Sequence, residues 1–349
     1  MRQLIQVGVL GAALAFSLVG TYLVYFDDSE GVVADSDGVA VYVATPEQLK
    51  KVTFEAEDEK IVIGRMNDGS DYLMVSVTKT REVMPPPPEP VSDSDGTDDT
   101  DNLAAPPEPP EPELVESTER FVGNDQAEEL WADFGPFRAD RSLEGNPSDI
   151  EFGFDAPYAT LSVDRTTGPV EVVFGAPTYG ERARYVKSGE KIFLVKKRDI
   201  TRIQSTEKLM ERDLHPYEPA GVDRIVVKTA TATRTLVHKN PDDRVKAYWA
   251  DAGSEDTRDD VVSGWLPTLL GLRARGYVDE APADLTEVLT ATLTGDQGDA
   301  TITVLSDGAE SPTWYARTSH NRGTVELTPS QAEELTADLE AVMSPQAPE

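Results

Sequence analysis

The sequence predicts an α+β fold: two similar β-rich modules related by internal duplication, each a mostly antiparallel sheet with two helices, behind one N-terminal transmembrane helix. Three observations predict it. Residues 152–204 hold four strand-length segments, YATLSV, VEVVFG, ARYVKS and KIFLVKK, separated by turn-rich gaps and closed by an amphipathic run, DITRIQ. A weaker copy follows: LTATLT, ATITVL, TWYARTS and TVELT precede the helical PSQAEELTADLEAV, so that Tyr185 matches Tyr315, Val170 matches Thr301 and Leu194 falls near Val325. An uncharged apolar run, VGVLGAALAFSLVGTYLVYF, occupies residues 7–26.

Taken in order, that apolar run comes first. At 1.5 Å per residue it spans roughly 30 Å, the thickness of a bilayer core. Tyr22, Tyr25 and Phe26 sit at its outer end, where an aromatic belt belongs. Arg2 precedes it and Asp27, Asp28 and Glu30 follow, which puts residues 1–6 in the cytoplasm and the bulk of the chain outside. The expected protein is a single-pass protein of a cytoplasmic (inner) membrane, its bulk periplasmic or otherwise extracytoplasmic. A cleaved signal peptide is the other reading; the run is longer than a usual h-region, and the only tolerable cleavage site, Val32-Val33-Ala34, lies late.

Residues 27–47 read as an acidic tether. A first α+β repeat is expected over 48–214 and opens as a β-meander: Val52, Phe54 and Ala56 alternate with polar residues, then come KIVIGR and DYLMVSV around the turn NDGS. Proline and acids dominate 85–113, which reads as a disordered insertion because nothing in it can form a core. Within it, Asp93, Asp95 and Asp99 around Gly96 have some of the spacing of a calcium loop. The plainer reading is a solvated charge run, since the glutamate at loop position 12 and the flanking helices are missing. Residues 114–122 read as extended. Asn124 then caps a helix with Ala127, Leu130, Trp131 and Phe134 on one face, ended by Gly135-Pro136.

HisProTyrGluPro opens an interdomain joint at 215–221, and a second repeat is expected over 222–345. It begins with VDRIVVK, TRTLVHK and RVKAYWA, then a helix over about Asp259–Arg275 interrupted by Pro267. Leu130-Trp131 corresponds to Trp265-Leu266, and those tryptophans with Tyr185 and Tyr315 read as core packing. The last helix takes Thr328 as N-cap, Pro329 at N1 and Gln331 at N3.

The chemistry on offer is sparse. A net charge of −32 argues against nucleic acid as a partner. With no cysteine, disulfides, thiolate metal sites and cysteine nucleophiles are excluded. His215, His238 and His320 lack HxH or HExxH spacing, and neither GxSxG nor a phosphate loop occurs. No catalytic residue, no metal ligand set and no cofactor is therefore expected, and the protein is read as not an enzyme. One region reverses the sign of the chain: residues 181–212 hold ten of the 32 basic residues and five acids. Arg182, Arg184, Lys187, Lys196, Lys197 and Arg198 are its partner-binding candidates. Either they are solvent-facing strand positions whose lysines guard an edge, or they form a docking patch for an acidic partner, anionic lipid headgroups or the acidic insertion.

Four phrases carry a resemblance. An N-terminal anchor precedes Pro46-Glu47-Gln48-Leu49-Lys50-Lys51-Val52; Gly153-Phe154-Asp155-Ala156-Pro157 precedes a strand; Phe174-Gly175 is followed after a spacer by Arg184-Tyr185-Val186. Over about residues 46–345, and most specifically 114–214, this pattern resembles a bacterial family of membrane-anchored domains of unknown function. Its members are often encoded beside gliding-motility-type ABC transporter components. The second half lacks a Gly-x-Asp-x-Pro phrase, the long acidic insertion is a departure, and the family has no established catalytic residues. The resemblance implies a non-catalytic extracytoplasmic accessory or scaffold protein associated with an ABC-type transport system and its subunits. The alternative is a binding module for an envelope glycan, lipid or ion in the cleft between the repeats.

Overall fold

The computed structural model describes residues 38–84, 112–144, 152–243 and 245–344. The apolar run at 7–26 and the three aspartates of the calcium-like loop lie outside the described residues. Among the described residues no helix is long and apolar enough to cross a membrane.

The described chain is sheet-rich α+β, with two sheet-bearing units. The first is built from β1 (Val39–Ala40), β2 (Leu49–Ala56), β3 (Glu59–Asn67), β4 (Asp71–Val83), β5 (Glu113–Val122), helix α1 (Asp125–Asp133), β6 (Arg138–Ala139), β7 (Arg141–Leu143), β8 (Ala159–Arg165), β9 (Val170–Pro177), β10 (Ala183–Ser188), β11 (Lys191–Lys196) and helix α2 (Lys197–Gln204). The second comprises β12 (Val222–Lys228), β13 (Thr233–Lys239), β14 (Tyr248–Asp251), helix α3 (Asp260–Leu270), β15 (Ala274–Val278), β16 (Thr286–Gly295), β17 (Gly298–Ser306), β18 (Trp314–Thr318), β19 (Gly323–Leu327) and helices α4 (Pro329–Ala337) and α5 (Leu339–Met343).

The strand orders are β5-β4-β3-β2-β8-β9-β10-β11-β7 and β14-β13-β12-β16-β17-β18-β19-β15. Without β5 they are the same order, and every pairing in both is antiparallel. Register makes the correspondence residue by residue. Val186 faces Phe174 and Phe193, while Ala316 faces Val304 and Val325, so Tyr185 and Tyr315 are equivalent. The same ladder pairs Val170 with Ala300, one residue from the expected Thr301, and Phe193 rather than Leu194 with Val325.

Local chemistry explains the elements. Each large sheet opens with a 3-10 turn begun by a proline, Pro46–Gln48 and Pro219–Gly221, and then a strand with a bulge after its first residue. A bulge inserts one residue, so the buried positions run Leu49, Val52, Phe54 and Val222, Ile225, Val227, three apart and then two. Asn124 caps α1 by accepting from the N–H groups of Gln126 and Ala127, and Asp259 caps α3 by accepting from Val262. Leu130 and Trp265 then stand at the same offset from their caps, and both tryptophans are buried. The equivalent tyrosines are only half-buried, on the side of the strand away from Val186 and Ala316, so they are not core.

Several expectations shift. Residues 38–47, read as the end of the tether, carry β1 and bury Tyr42 and Ala44 in the first core. Glu113, read as insertion, begins β5. Helix α3 stops at Gly271, and Ala274 and Arg275, read as its end, instead begin the outer strand β15. Its counterpart β7 was likewise unforeseen. Thr328 makes no side-chain cap bond; Gln331 reaches instead to the Gly271 carbonyl that ends α3. The chain changes core between Met210, in the first cluster, and Leu214, in the second, so His215 and Tyr217 lie inside the second unit rather than in a joint.

Candidate functional site

Two places gather the residues that the sequence singles out. The first is the outer side of β9 and β10. Here Gly153 has φ +72°, and the Ala176 N–H donates to the Phe152 carbonyl at 2.7 Å. A side chain on Gly175 would start 2.2 Å from that same carbonyl, so only glycine lets 152–154 lie across β9. Arg184 donates to the Gly175 carbonyl at 2.8 Å and stacks 3.7 Å over Tyr158, whose hydroxyl donates to Gln204. Tyr185 meets the Phe152 ring edge-on at 4.5 Å. Two of the phrases that carry the resemblance, residues 153–157 and Phe174-Gly175 with Arg184-Tyr185-Val186, therefore converge on one packing cluster, while residues 46–52 form the opening turn and the start of β2.

The basic candidates surround that cluster, and three of the six have local carboxylates. Lys196 pairs with Asp140 at 2.7 Å, Lys197 with Glu181 at 3.5 Å, and Arg198 with Asp199 at 3.3 Å. Arg202 holds Asp133 and Glu129. Lys187 lies 5.7 Å from the Phe154 ring, and Arg182 is exposed beside Lys197, whose N–H donates to its carbonyl. Strands β10 and β11 are interior to the sheet, with β7 as the edge, so these lysines do not guard an edge. Exposed pairs of this kind contribute little stability but do cancel the patch's field at short range.

The second place is the junction of the units. Between the two cores, Glu211, Arg212 and Asp213 carry the crossing. Arg212 donates to the carbonyls of Ala274 and Arg275 at 3.1 Å each, and the Ala274 N–H returns a bond to the Arg212 carbonyl at 2.8 Å. Tyr277 packs against both cores, tilts onto Phe121, and donates to the Glu211 carbonyl at 3.0 Å. Asn321 donates to the Tyr277 hydroxyl at 3.0 Å, and His320 lies 3.6 Å from the Glu211 carboxylate. Arg322, in the β18–β19 turn, reaches Asp68 and Ser70 in the β3–β4 turn and lies 4.2 Å over Tyr72. Burial drives the Tyr277 hydroxyl up to about 12. Burial acts to raise the Glu211 carboxyl, but bonds from His320 and the Asp213 N–H outweigh it and hold it below its ordinary value.

Beside this contact opens a cleft of about 430 Å³. Its floor is the inner face of the β4–β5 ribbon beyond Val77 and Phe121, and its walls are residues 206–212 and Arg275. Lys79 and Arg81 stand on the floor two residues apart, a spacing that places both on one face. That alternation after Val75 and Val77 was the sequence signal for them, and it needed the position of the joint to be read.

The histidines are structural. His215 is buried, with one ring nitrogen accepting from the Tyr217 N–H and the other donating to the Leu270 carbonyl; burial lowers its pKa. His238 stacks on Trp249 at 4.6 Å. Among the described residues no group of three or more His, Asp or Glu is placed to hold a metal ion.

Residues 124–288 match the family model described as Domain of unknown function (DUF4340). This match supports kinship with a family of unknown function. It opens on the cap of α1 and closes in β16, so it takes in Glu211, Arg212, Arg275 and Tyr277 but not Phe121, Tyr72 or the β3–β4 and β18–β19 turns. No curated protein and no solved structure matches the chain.

Proposed function

We propose that the protein is a non-catalytic accessory or scaffold, anchored in a bacterial inner membrane by residues 7–26, with its two units outside the cytoplasm and associated with the subunits of an ABC-type transport system. The observation that carries it is the junction. A chain that only tethers two domains needs a flexible linker, whereas here Arg212, Tyr277, Asn321 and Arg322 tie the units together through backbone and side-chain bonds. A body fixed in that way is suited to holding partners at a set geometry. Common strand order, the repeated bulge and the repeated cap favour an origin by internal duplication. The transporter association rests on the motif resemblance alone.

Crosslinking in intact cells followed by affinity purification from membranes tests this. Transporter subunits should be recovered, and lost when residues 1–26 are replaced by a cleavable signal. Recovery of the bait alone, with crosslinking otherwise effective, overturns it.

A second reading, an envelope ligand-binding module, is favoured by one specific observation: the cleft at the junction, where interdomain ligands commonly bind. A thermal-shift screen of glycans, lipids and ions separates the two readings.

A further inference from the structure

We propose that the cleft between the units binds a small phosphate-bearing ligand through Arg81, Arg212 and Lys79. This rests on the ligand-binding reading and names its ligand class.

Four cations converge there. Lys79 and Arg275 are each shared with a carboxylate, Glu59 at 3.4 Å and Glu326 at 2.7 Å. The other two are not. Arg212 is half-buried, and its guanidinium meets only the neutral carbonyls of Ala274 and Arg275. No carboxylate is ion-paired with it among the described residues, although Glu119 and Glu207 line the same cleft. Arg81 is exposed on the floor and has no hydrogen bond or ion pair among the described residues. About half of the other described arginines, Arg65, Arg202 and Arg234 among them, are ion-paired to acids; what sets Arg81 and Arg212 apart is that both open forks line one cleft. Planar forks suit phosphate oxygens, and the Ser117 hydroxyl, opposite Lys79 on the same face of the ribbon, adds a donor.

Two carboxylates, Glu119 and Glu207, also line the cleft. They can accept from ligand hydroxyls, which points to a phosphate carried on a polyol rather than to bare phosphate. Size is bounded by the volume and by charge. A net charge of −32 repels an extended polyanion, so only a compact anion gains from these few cations. The floor of the site pairs β4 with β5, the strand that the nine-stranded sheet has in addition to the order shared with the second unit.

Titration calorimetry on the full chain in detergent, with inorganic phosphate, glycerol 3-phosphate and dihexanoyl phosphatidylglycerol as separate probes, tests this. Saturable binding of glycerol 3-phosphate is expected, weakened about tenfold or more by Arg81→Gln, as for loss of one charge-assisted bond, and further by adding Lys79→Gln. Arg120→Gln, on the opposite face of β5, should leave it unchanged. Binding confined to the lipid probe, with the same variant pattern, keeps the site and makes a lipid headgroup its source. No saturable binding, or equal weakening by Arg81→Gln and Arg120→Gln, overturns the assignment. Stabilisation by a neutral glycan that Arg81→Gln leaves intact keeps a ligand-binding cleft but overturns the phosphate; no ligand of any class binding sinks both.

Discussion

The two units share a strand order but fill one part of their cores with opposite chemistry. In the first, Ile61 and Val75 lie on neighbouring strands and are buried among apolar side chains. Register puts Arg234 where Ile61 stands and Asp251 where Val75 stands. Arg234 is 4% exposed and donates to Asp251 at 2.9 Å, to Asp259 at 2.5 Å and to the Val342 carbonyl at the end of the chain's last helix. The cap residue follows suit: neutral Asn124 in the first unit, charged Asp259 in the second. One fold thus accepts either an apolar pair or a satisfied ion network at equivalent positions, provided the cap and the terminal helix change with it. A second contrast concerns β9 and β17. Gly175 leaves room for residues 152–154 to cross the strand; its equivalent is a buried leucine, Leu305, and the second half has no Gly-x-Asp-x-Pro phrase.

Breaking the contrast gives the largest effect. Arg234→Leu strands two carboxylates near α3 and should cost about 3–5 kcal/mol, measured by denaturant unfolding. Converting the whole set, Arg234→Ile with Asp251→Val and Asp259→Asn, recreates the first unit's solution and should recover that loss or exceed it by about 1–4 kcal/mol. If the triple variant is as unstable as the single one, the network is doing something the apolar set cannot.

Gly175→Ala forces a methyl into the Phe152 carbonyl and should cost about 1–3 kcal/mol, while Leu305→Ala, removing the side chain at the equivalent position, should cost about 2–5 kcal/mol through its cavity. Urea midpoints of the two variants decide whether the positions are equivalent in energy as well as in register. Tyr277→Phe removes the bond to the Glu211 carbonyl and leaves Asn321 without its acceptor there; about 0.5–1.5 kcal/mol is expected, seen as a lower first transition or as separation of the units' transitions in calorimetry.

The smallest effect concerns pH. The Glu211 carboxyl is held below its ordinary value in the folded state. Its contribution is therefore present above the unfolded-state pKa and lost as pH falls through the folded-state value. Unfolding midpoints should drop over that acidic range, and Glu211→Gln should flatten the drop and lower the midpoint at neutrality, where the carboxylate's contribution is fully present.

Much of the fold was legible. The strands around Val172, Val186, Phe193, Ile302 and Ala316 alternate cleanly, and the cap at Asn124 announces α1. The repeated opening was written as apolar spacing of three and then two. What escaped has a physical reason. Strands β7 and β15 are short and pair only with β11 and β19, far along the chain, so no local period marks them. Residues 271–275 look helical because Leu272 and Ala274 continue an apolar stripe that Gly271 ends. The basic region was visible as composition, but its neutralisation by Asp140, Glu181 and Asp133 depends on tertiary placement. The cleft was less visible still, since Lys79, Arg81 and Arg212 meet only after two units dock.

The junction's parts in the second unit come from β15 and from the β18–β19 turn. Strand β15 has β19, the last strand, as its one sheet neighbour. During synthesis the first unit can therefore complete its sheet once Lys196 has emerged, yet the surface around Phe121 and Glu211 has nothing to close upon until Leu327 is made. At roughly 5–20 residues per second that interval is seconds long. A ribosome-stalled series read by limited proteolysis would show protection at Arg212 arriving only in the longest chains; protection in chains ending before β18 would show that β15 docks without its sheet. Assembly of the two units is thus timed by the C-terminal end of the chain, and a nascent protein cut short before β19 carries a folded first half with its docking surface open.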